Sequence, residues 1–182
     1  MNCDAVEPRS PPLPADGRVL VVGYGNTLRG DDAFGPIVAE RLRALVAPDR
    51  VLVIACHQLT PELAADVAAC QQVIFIDASA ASPPGELVCR TLDAGDASAA
   101  GLVHSLGPDH LLVLARLIYG RAPPATLVTA GGANFELGDH RLSPLVAAAI
   151  EPAVEHIRQQ IDSNSSTLPR FAGTGRIRLD CV

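Results

Sequence analysis

The chain has 182 residues and a formal net charge of -6, with 48% hydrophobic and 19% charged residues. This length favours one domain that buries its core without disulfide bonds, and the acidic balance argues against a nucleic-acid partner, which would require a basic surface. Every apolar stretch is shorter than the roughly 20 residues that cross a bilayer, so no membrane partner is expected. The five cysteines include no Cys-x-x-Cys pair and fit the reduced thiols of a cytoplasmic protein.

Short apolar runs alternate with amphipathic segments between residues 17 and 161. This alternation predicts one α/β domain with a mainly parallel, twisted sheet and helices on both faces. The predicted strands cover 18–25, 51–56, 72–78, 85–92 and 125–132, with 85–92 at an edge of the sheet. The predicted helices cover 33–46, 61–70, 107–120 and 143–161. The flanking segments, 1–16 and 162–182, lack this pattern and are expected to be flexible tails.

Polar residues follow several of the predicted strands, at the point where each strand ends. In sheets of this kind, ligands bind beyond the carboxyl ends of the strands, near the point where the strand order reverses. We therefore expect these side chains to share one edge of the sheet. They are Asn26, Asp31, Asp32, His57, Thr60 and Asp77, together with His104 in the loop before the 107–120 helix.

The glycine-rich stretch VVGYGNTLRGDDAFG, residues 21–35, does not fit a nucleotide site. It lacks the third glycine of the dinucleotide fingerprint, and it has no Gly-Lys-Ser or Gly-Lys-Thr. Two adjacent carboxylates would also repel a phosphate. We interpret Asp31 as a cap of the following helix and Asp32 as a site residue.

Asp77 ends the apolar run VIFIDAS, and an unpaired buried carboxylate is costly, so it must pair, bind a cation or reach water. A cap for the next turn is the alternative role. Two carboxylates and one imidazole suit a borderline divalent metal, which predicts a metal site at Asp32, Asp77 and His104. His57 is a predicted substrate contact or loop residue, with metal ligation as its alternative. Asn26 and Thr60 are the other predicted substrate contacts.

Four segments, VVGYGNTLRGDDAFG, AERL, VIFIDAS and HSLGPDHLL, together resemble the nickel–iron hydrogenase maturation proteases, and the match runs from about Arg18 to Ile161. The resemblance implies a three-layer αβα sandwich. It also implies a cytoplasmic endopeptidase that removes the C-terminal extension of a nickel–iron hydrogenase large-subunit precursor after nickel insertion. By motif, the metal-binding and catalytic residues of the family fall on Asp32, Asp77 and His104, with the nickel presented by the substrate rather than tightly held.

Two other classes of function remain as alternatives at this point. One is a small-molecule hydrolase on a similar αβα fold, and the other is a non-catalytic hydrogenase-assembly chaperone. The role of the nickel also stays open between two possibilities. It either orients the scissile peptide and polarises its carbonyl or a water molecule, or it serves only to recognise the loaded precursor.

Overall fold

A computed structural model describes residues 17–93, 106–164 and 175–177. These residues form a six-stranded sheet between two layers of helices, which confirms the αβα sandwich. The strands are β1 (Val19–Tyr24), β2 (Val51–Cys56), β3 (Gln72–Ser79), β4 (Leu87–Leu92), β5 (Ala125–Gly131) and β6 (Gly175–Ile177). The helices are α1 (Phe34–Arg43), α2 (Leu63–Ala69), α3 (Pro108–Tyr119) and α4 (Pro144–Asn164), and a 3-10 turn (Gly30–Ala33) precedes α1.

The strand order, β2-β1-β3-β5-β4-β6, places β1 at the point where the chain changes direction across the sheet. The chain passes from β1 to β2 on one side and then returns to β3 on the other side of β1. Strands β2, β1, β3 and β5 run parallel, whereas β4 is antiparallel to β5. The crevice beyond the carboxyl ends of β1 and β3 is therefore the expected ligand position for this topology.

Two hydrophobic clusters fill the space between the sheet and its helices. Helices α1 and α4 cover one face, and α2 and α3 cover the other. Helix α1 packs unusually close to the sheet, because a Cβ atom on Gly35 would lie 2.4 Å from the backbone oxygens of both Tyr24 and Ile76. This approach brings the beginning of α1, and Asp32 just before it, to the carboxyl ends of β1 and β3.

The structure differs from the sequence prediction at several places, and helix α1 ends at Arg43 rather than at 46. The segment 85–92 is not the edge of the sheet, because β6 pairs antiparallel with β4 on its outer side. Helix α2 begins at Leu63 rather than at 61, since residues 61–62 form a turn. Helix α4 continues beyond 161 to Asn164.

The predicted tails fall mostly outside the described residues. This holds for all of 1–16, and for 162–182 apart from the end of α4 and strand β6. In the described ranges, no helix combines the length and apolar character needed to cross a membrane.

Candidate active site

Asp32 stands at the end of the turn that links β1 to α1. Gly25 enters this turn with a φ of +144°, a conformation that favours glycine. A Cβ atom at Gly25 would lie 2.0 Å from the backbone oxygen of Asp32, so a larger residue would push the two segments apart. The backbone N–H of Asn26 donates a hydrogen bond of 2.9 Å to Oδ2 of Asp32. The glycine-rich turn thus orients a partly buried carboxylate.

Asp77 of β3 is a partly buried carboxyl group beside Tyr24 of β1. Gly23 pairs with Ile76 in the parallel register, so the next residue of each strand lies on the same face of the sheet. The Tyr24 hydroxyl donates a hydrogen bond to Asp77, and the backbone N–H of Ala78 donates one of 2.8 Å to Oδ1. Burial raises the pKa of Asp77 to about 6, although both hydrogen bonds lower it. Burial and the charge of Asp77 raise the pKa of Tyr24, so its hydroxyl remains a donor.

The charge of Asp32 acts on Asp77 at the crevice between β1 and β3. The charge of Asp32 is among the causes that raise the pKa of Asp77, an effect that weakens with distance. Two of the three predicted metal ligands therefore lie toward the same edge of the sheet, one in the turn after β1 and one near the end of β3. His104, the third, lies outside the described residues. Within the described ranges, no group of three or more His, Cys, Asp and Glu side chains could hold a metal ion.

The sequence predicted that Asp31 caps a helix, and this prediction is wrong. Neither the 3-10 turn nor α1 has a side-chain cap. Its carboxylate is fully buried. Oδ2 accepts hydrogen bonds from the backbone N–H groups of Ala133 (2.7 Å) and Asn134 (2.9 Å), and Oδ1 accepts one from Ser143 (2.6 Å). Burial alone would raise the pKa of Asp31, but these donors outweigh burial and lower it. Asp31 therefore joins the turn after β1 to the segment between β5 and α4.

Further hydrogen bonds fix that segment around the same turn. The backbone N–H of Gly30 donates to the backbone oxygen of Asp139 at 2.6 Å. Nε of Arg29 donates to the backbone oxygen of Phe135 at 3.0 Å, although the two residues are 106 positions apart. The position of Asp32 consequently depends on a distant part of the chain.

The three predicted substrate contacts have different surroundings, and their role in binding stays a prediction. His57 is exposed just after β2 and lines an open groove. Oδ1 of Asn26 accepts a hydrogen bond of 2.9 Å from the backbone N–H of Leu28, so this side chain stabilises the turn. Thr60 is partly buried, forms a side-chain hydrogen bond with Glu62 and does not line the groove.

The sequence did not identify Tyr24 as part of the site. The sequence did contain an indication of its role, because Tyr24 ends a strand inside the glycine-rich motif. Recognising its partner, however, requires the order of the strands, which puts β1 beside β3. The groove next to His57 was missed for a similar reason, since residues from separate elements form its walls.

Comparison with known proteins finds relatives among enzymes of hydrogenase maturation. The chain is 31% identical over 162 residues to the hydrogenase 2 maturation protease of Escherichia coli (strain K12), a match that covers 85% of this chain and 98% of that protein. No protein-family model matches the chain.

Solved structures show the same similarity at the level of the fold. The structure of the nickel–iron hydrogenase maturation protease HycI from Thermococcus kodakarensis KOD1 matches with a TM-score of 0.67 and 26% identity, over 80% of this chain and 93% of that chain. The hydrogenase 2 maturation peptidase from Thaumarchaeota archaeon SCGC_AB-539-E09 matches with a TM-score of 0.61 and 31% identity, over 80% of this chain and 98% of that chain.

Proposed function

This chain belongs to the nickel–iron hydrogenase maturation protease family and is an endopeptidase, and we propose that it removes the C-terminal extension of a nickel–iron hydrogenase large-subunit precursor after nickel insertion, in the cytoplasm. The observation that carries this proposal is that Asp32, in the turn after β1, and Asp77, near the end of β3, lie toward the same edge of the sheet, where the charge of Asp32 acts on Asp77. Two acidic side chains at this position, one from the turn after β1 and one from β3, suit recognition of a cation carried by the substrate.

The nickel of the loaded precursor is the cation that these residues are proposed to recognise. Asp32, Asp77 and His104 would supply two carboxylate oxygens and one imidazole nitrogen, a donor set that a borderline divalent metal accepts. The place of His104 in the sequence supports its inclusion. It precedes Pro108, the first residue of α3, by four positions, which an extended chain covers in about 14 Å.

Helix α3 packs on the face of the sheet that carries Tyr24. The charge of Asp109, in the first turn of α3, is among the causes that raise the pKa of Tyr24, and the Tyr24 hydroxyl is hydrogen-bonded to Asp77. Helix α3 and Tyr24 share one hydrophobic cluster, so α3 covers the face of the sheet on which Asp77 lies. The position of α3, which follows His104 in the sequence, supports His104 as the third ligand in this proposal.

The protein groups have distinct tasks in the proposed reaction. Asn26 holds Oδ2 of Asp32 through its backbone N–H, while the Tyr24 hydroxyl and the backbone N–H of Ala78 orient Asp77. Both carboxylates bind in their ionised forms, which Asp77 reaches above about pH 6. A metal held by these residues would supply a Lewis acid for a carbonyl or a water molecule, in addition to its part in recognition of the precursor. His57, Asn26 and Thr60 are proposed to contact the precursor around the bond that is cut.

The decisive experiment incubates the purified protein with nickel-loaded precursor and, separately, with nickel-free precursor, followed by mass spectrometry of the products. We expect the loaded precursor to lose its C-terminal extension and the nickel-free precursor to keep its full mass. Equal cleavage of both forms would contradict nickel-dependent recognition. A stable complex without any shortening of the precursor would indicate a chaperone, and turnover of small substrates alone would indicate a small-molecule hydrolase.

A further inference from the structure

An open groove of about 780 Å³ follows the solvent-facing side of α1. One end lies against Gly25 and Thr27 in the turn after β1, and against His57 after β2. From there the groove continues along α1 past Ile37 to Leu45. Its volume falls within the usual range for binding sites, about 300–1,000 Å³.

The groove begins directly beside the candidate active site. Gly25 forms part of its wall, and a Cβ atom at Gly25 would lie 3.3 Å from Oδ1 of Asp32. Gly25 is therefore within contact distance of the carboxylate and also lines the end of the groove. A polypeptide bound at Asp32 would enter the groove past this glycine.

The chemistry of the groove favours uncharged, apolar side chains. Ile37, Ala44 and Leu45 contribute apolar surface, and Leu45 is 60% exposed. The charged side chains along its edge already have partners, because Arg41 pairs with Glu151 and Glu40 pairs with Arg43. No charge along the described walls thus requires an opposite charge from the occupant.

The shape of the groove indicates how much chain it can hold. Ile37 lies on α1, and Ala44, which directly follows the last residue of α1, comes seven positions later, which corresponds to about 11 Å along a helix. An extended polypeptide covers this distance with about four residues. A groove that is open along its length also admits an internal segment of a longer chain, as an endopeptidase requires.

We propose that this groove binds about four residues of the large-subunit precursor, next to the bond that is cut, in an extended conformation and through uncharged apolar side chains. The inference rests on the proposed function, because it assigns a place to the substrate of that same site. It adds a determinant of affinity that is separate from the recognition of nickel. Variants of the groove should therefore weaken precursor binding without changing the chemical step.

The test measures the rate of precursor shortening over a series of nickel-loaded precursor concentrations. Leu45→Asp introduces a charge at the apolar end of the groove that lies away from His57, and Ala44→Trp fills the groove at an exposed position. We expect each variant to raise KM at least about 10-fold, as the loss of one buried apolar contact predicts, while kcat stays within about 2-fold. Leu117→Asp on α3 is the matched control, because Leu117 is 70% exposed and lies on the opposite layer. It should leave KM unchanged.

The dissociation constant of the precursor, measured by calorimetry for the same variants, separates the two proposals. If the wild-type protein binds the precursor without cutting it, the proposed function fails, and the dissociation constants still decide whether the groove is used. An unchanged KM and dissociation constant for both Leu45→Asp and Ala44→Trp would overturn the groove assignment. A change in the self-association of the protein in these variants, measured without precursor, would also overturn the assignment. A second copy of the chain would then be the occupant of the groove.

Discussion

Two carboxyl groups near the carboxyl edge of the sheet, Asp31 and Asp77, have opposite surroundings. Burial by itself raises the pKa of both. Asp31 accepts three backbone N–H bonds, and its pKa is lowered. Asp77 accepts one backbone N–H bond and one bond from Tyr24, and its pKa remains raised to about 6. Three backbone donors thus mark Asp31 as a carboxylate that holds the fold, whereas burial dominates the pKa of Asp77 and leaves its carboxylate with fewer donors.

The largest effect is expected from substitutions at the proposed metal-binding carboxylates. Asp32→Asn and Asp77→Asn should each slow precursor shortening by more than about 100-fold, since even the outer partners of metal ligands typically contribute 10–100-fold. The amides keep one acceptor oxygen, so circular dichroism should show an intact fold. Asp49→Asn, an exposed position before β2, is the control and should process the precursor normally. Normal processing by Asp32→Asn would remove that residue from the site.

Asp31→Asn should act on stability instead of chemistry. The amide has one acceptor oxygen for three backbone donors, and hydrogen bonds to a charged group contribute about 1.5–3 kcal/mol each. We expect the free energy of unfolding to fall by roughly 3 kcal/mol in urea denaturation at pH 7. Processing by the protein that remains folded should decrease much less than in Asp77→Asn. A fully stable but inactive variant would contradict this division of roles.

The same comparison predicts opposite pH dependences of stability. Because the pKa of Asp77 is raised from 3.8 to about 6, the folded state binds its proton more tightly than the unfolded state. Stability of the wild type should therefore decrease relative to Asp77→Asn as the pH rises from about 4 to about 6, by on the order of 1–3 kcal/mol. Asp31 acts in the other direction, since its lowered pKa contributes stability that is lost as the pH falls below 3.8. Parallel unfolding curves for the wild type and Asp77→Asn would exclude the first effect.

The smallest effect concerns Tyr24. Tyr24→Phe removes a hydrogen bond that lowers the pKa of Asp77, so the acid limb of the processing rate should move to higher pH. A hydrogen bond of about 1 kcal/mol predicts a shift of roughly 0.5–1 pH unit, with the rate at pH 8 almost unchanged. Tyr119→Phe, at the other tyrosine of the chain, is the matched control and should not move the limb. An unchanged profile in Tyr24→Phe would show that the hydroxyl does not act on Asp77.

The boundaries that the sequence missed have a common physical cause. Strand β6 follows β4 by more than 80 positions, so a local pattern could not show that β4 has a neighbour on both sides. The start of α2 was wrong because proline suits both the first turn of a helix and a preceding turn. The signals for buried strands, in contrast, are local runs of β-branched residues, and they were placed within one or two positions.

The sequence alone determined the αβα architecture and the location of Asp32 and Asp77 at one edge, because hydrophobic periodicity defines the strands and parallel strands end at the same edge. The sequence also assigned a structural role to Asp31, but only the tertiary structure decided that this role is to join two distant segments and not to cap a helix. The donors to Asp31 come from residues 102 to 112 positions away, and the partner of Tyr24 follows from the strand order. The hydrophobic pattern along the chain specifies the helices and strands. The hydrogen-bond donors around a buried charge belong to residues that come together only after folding.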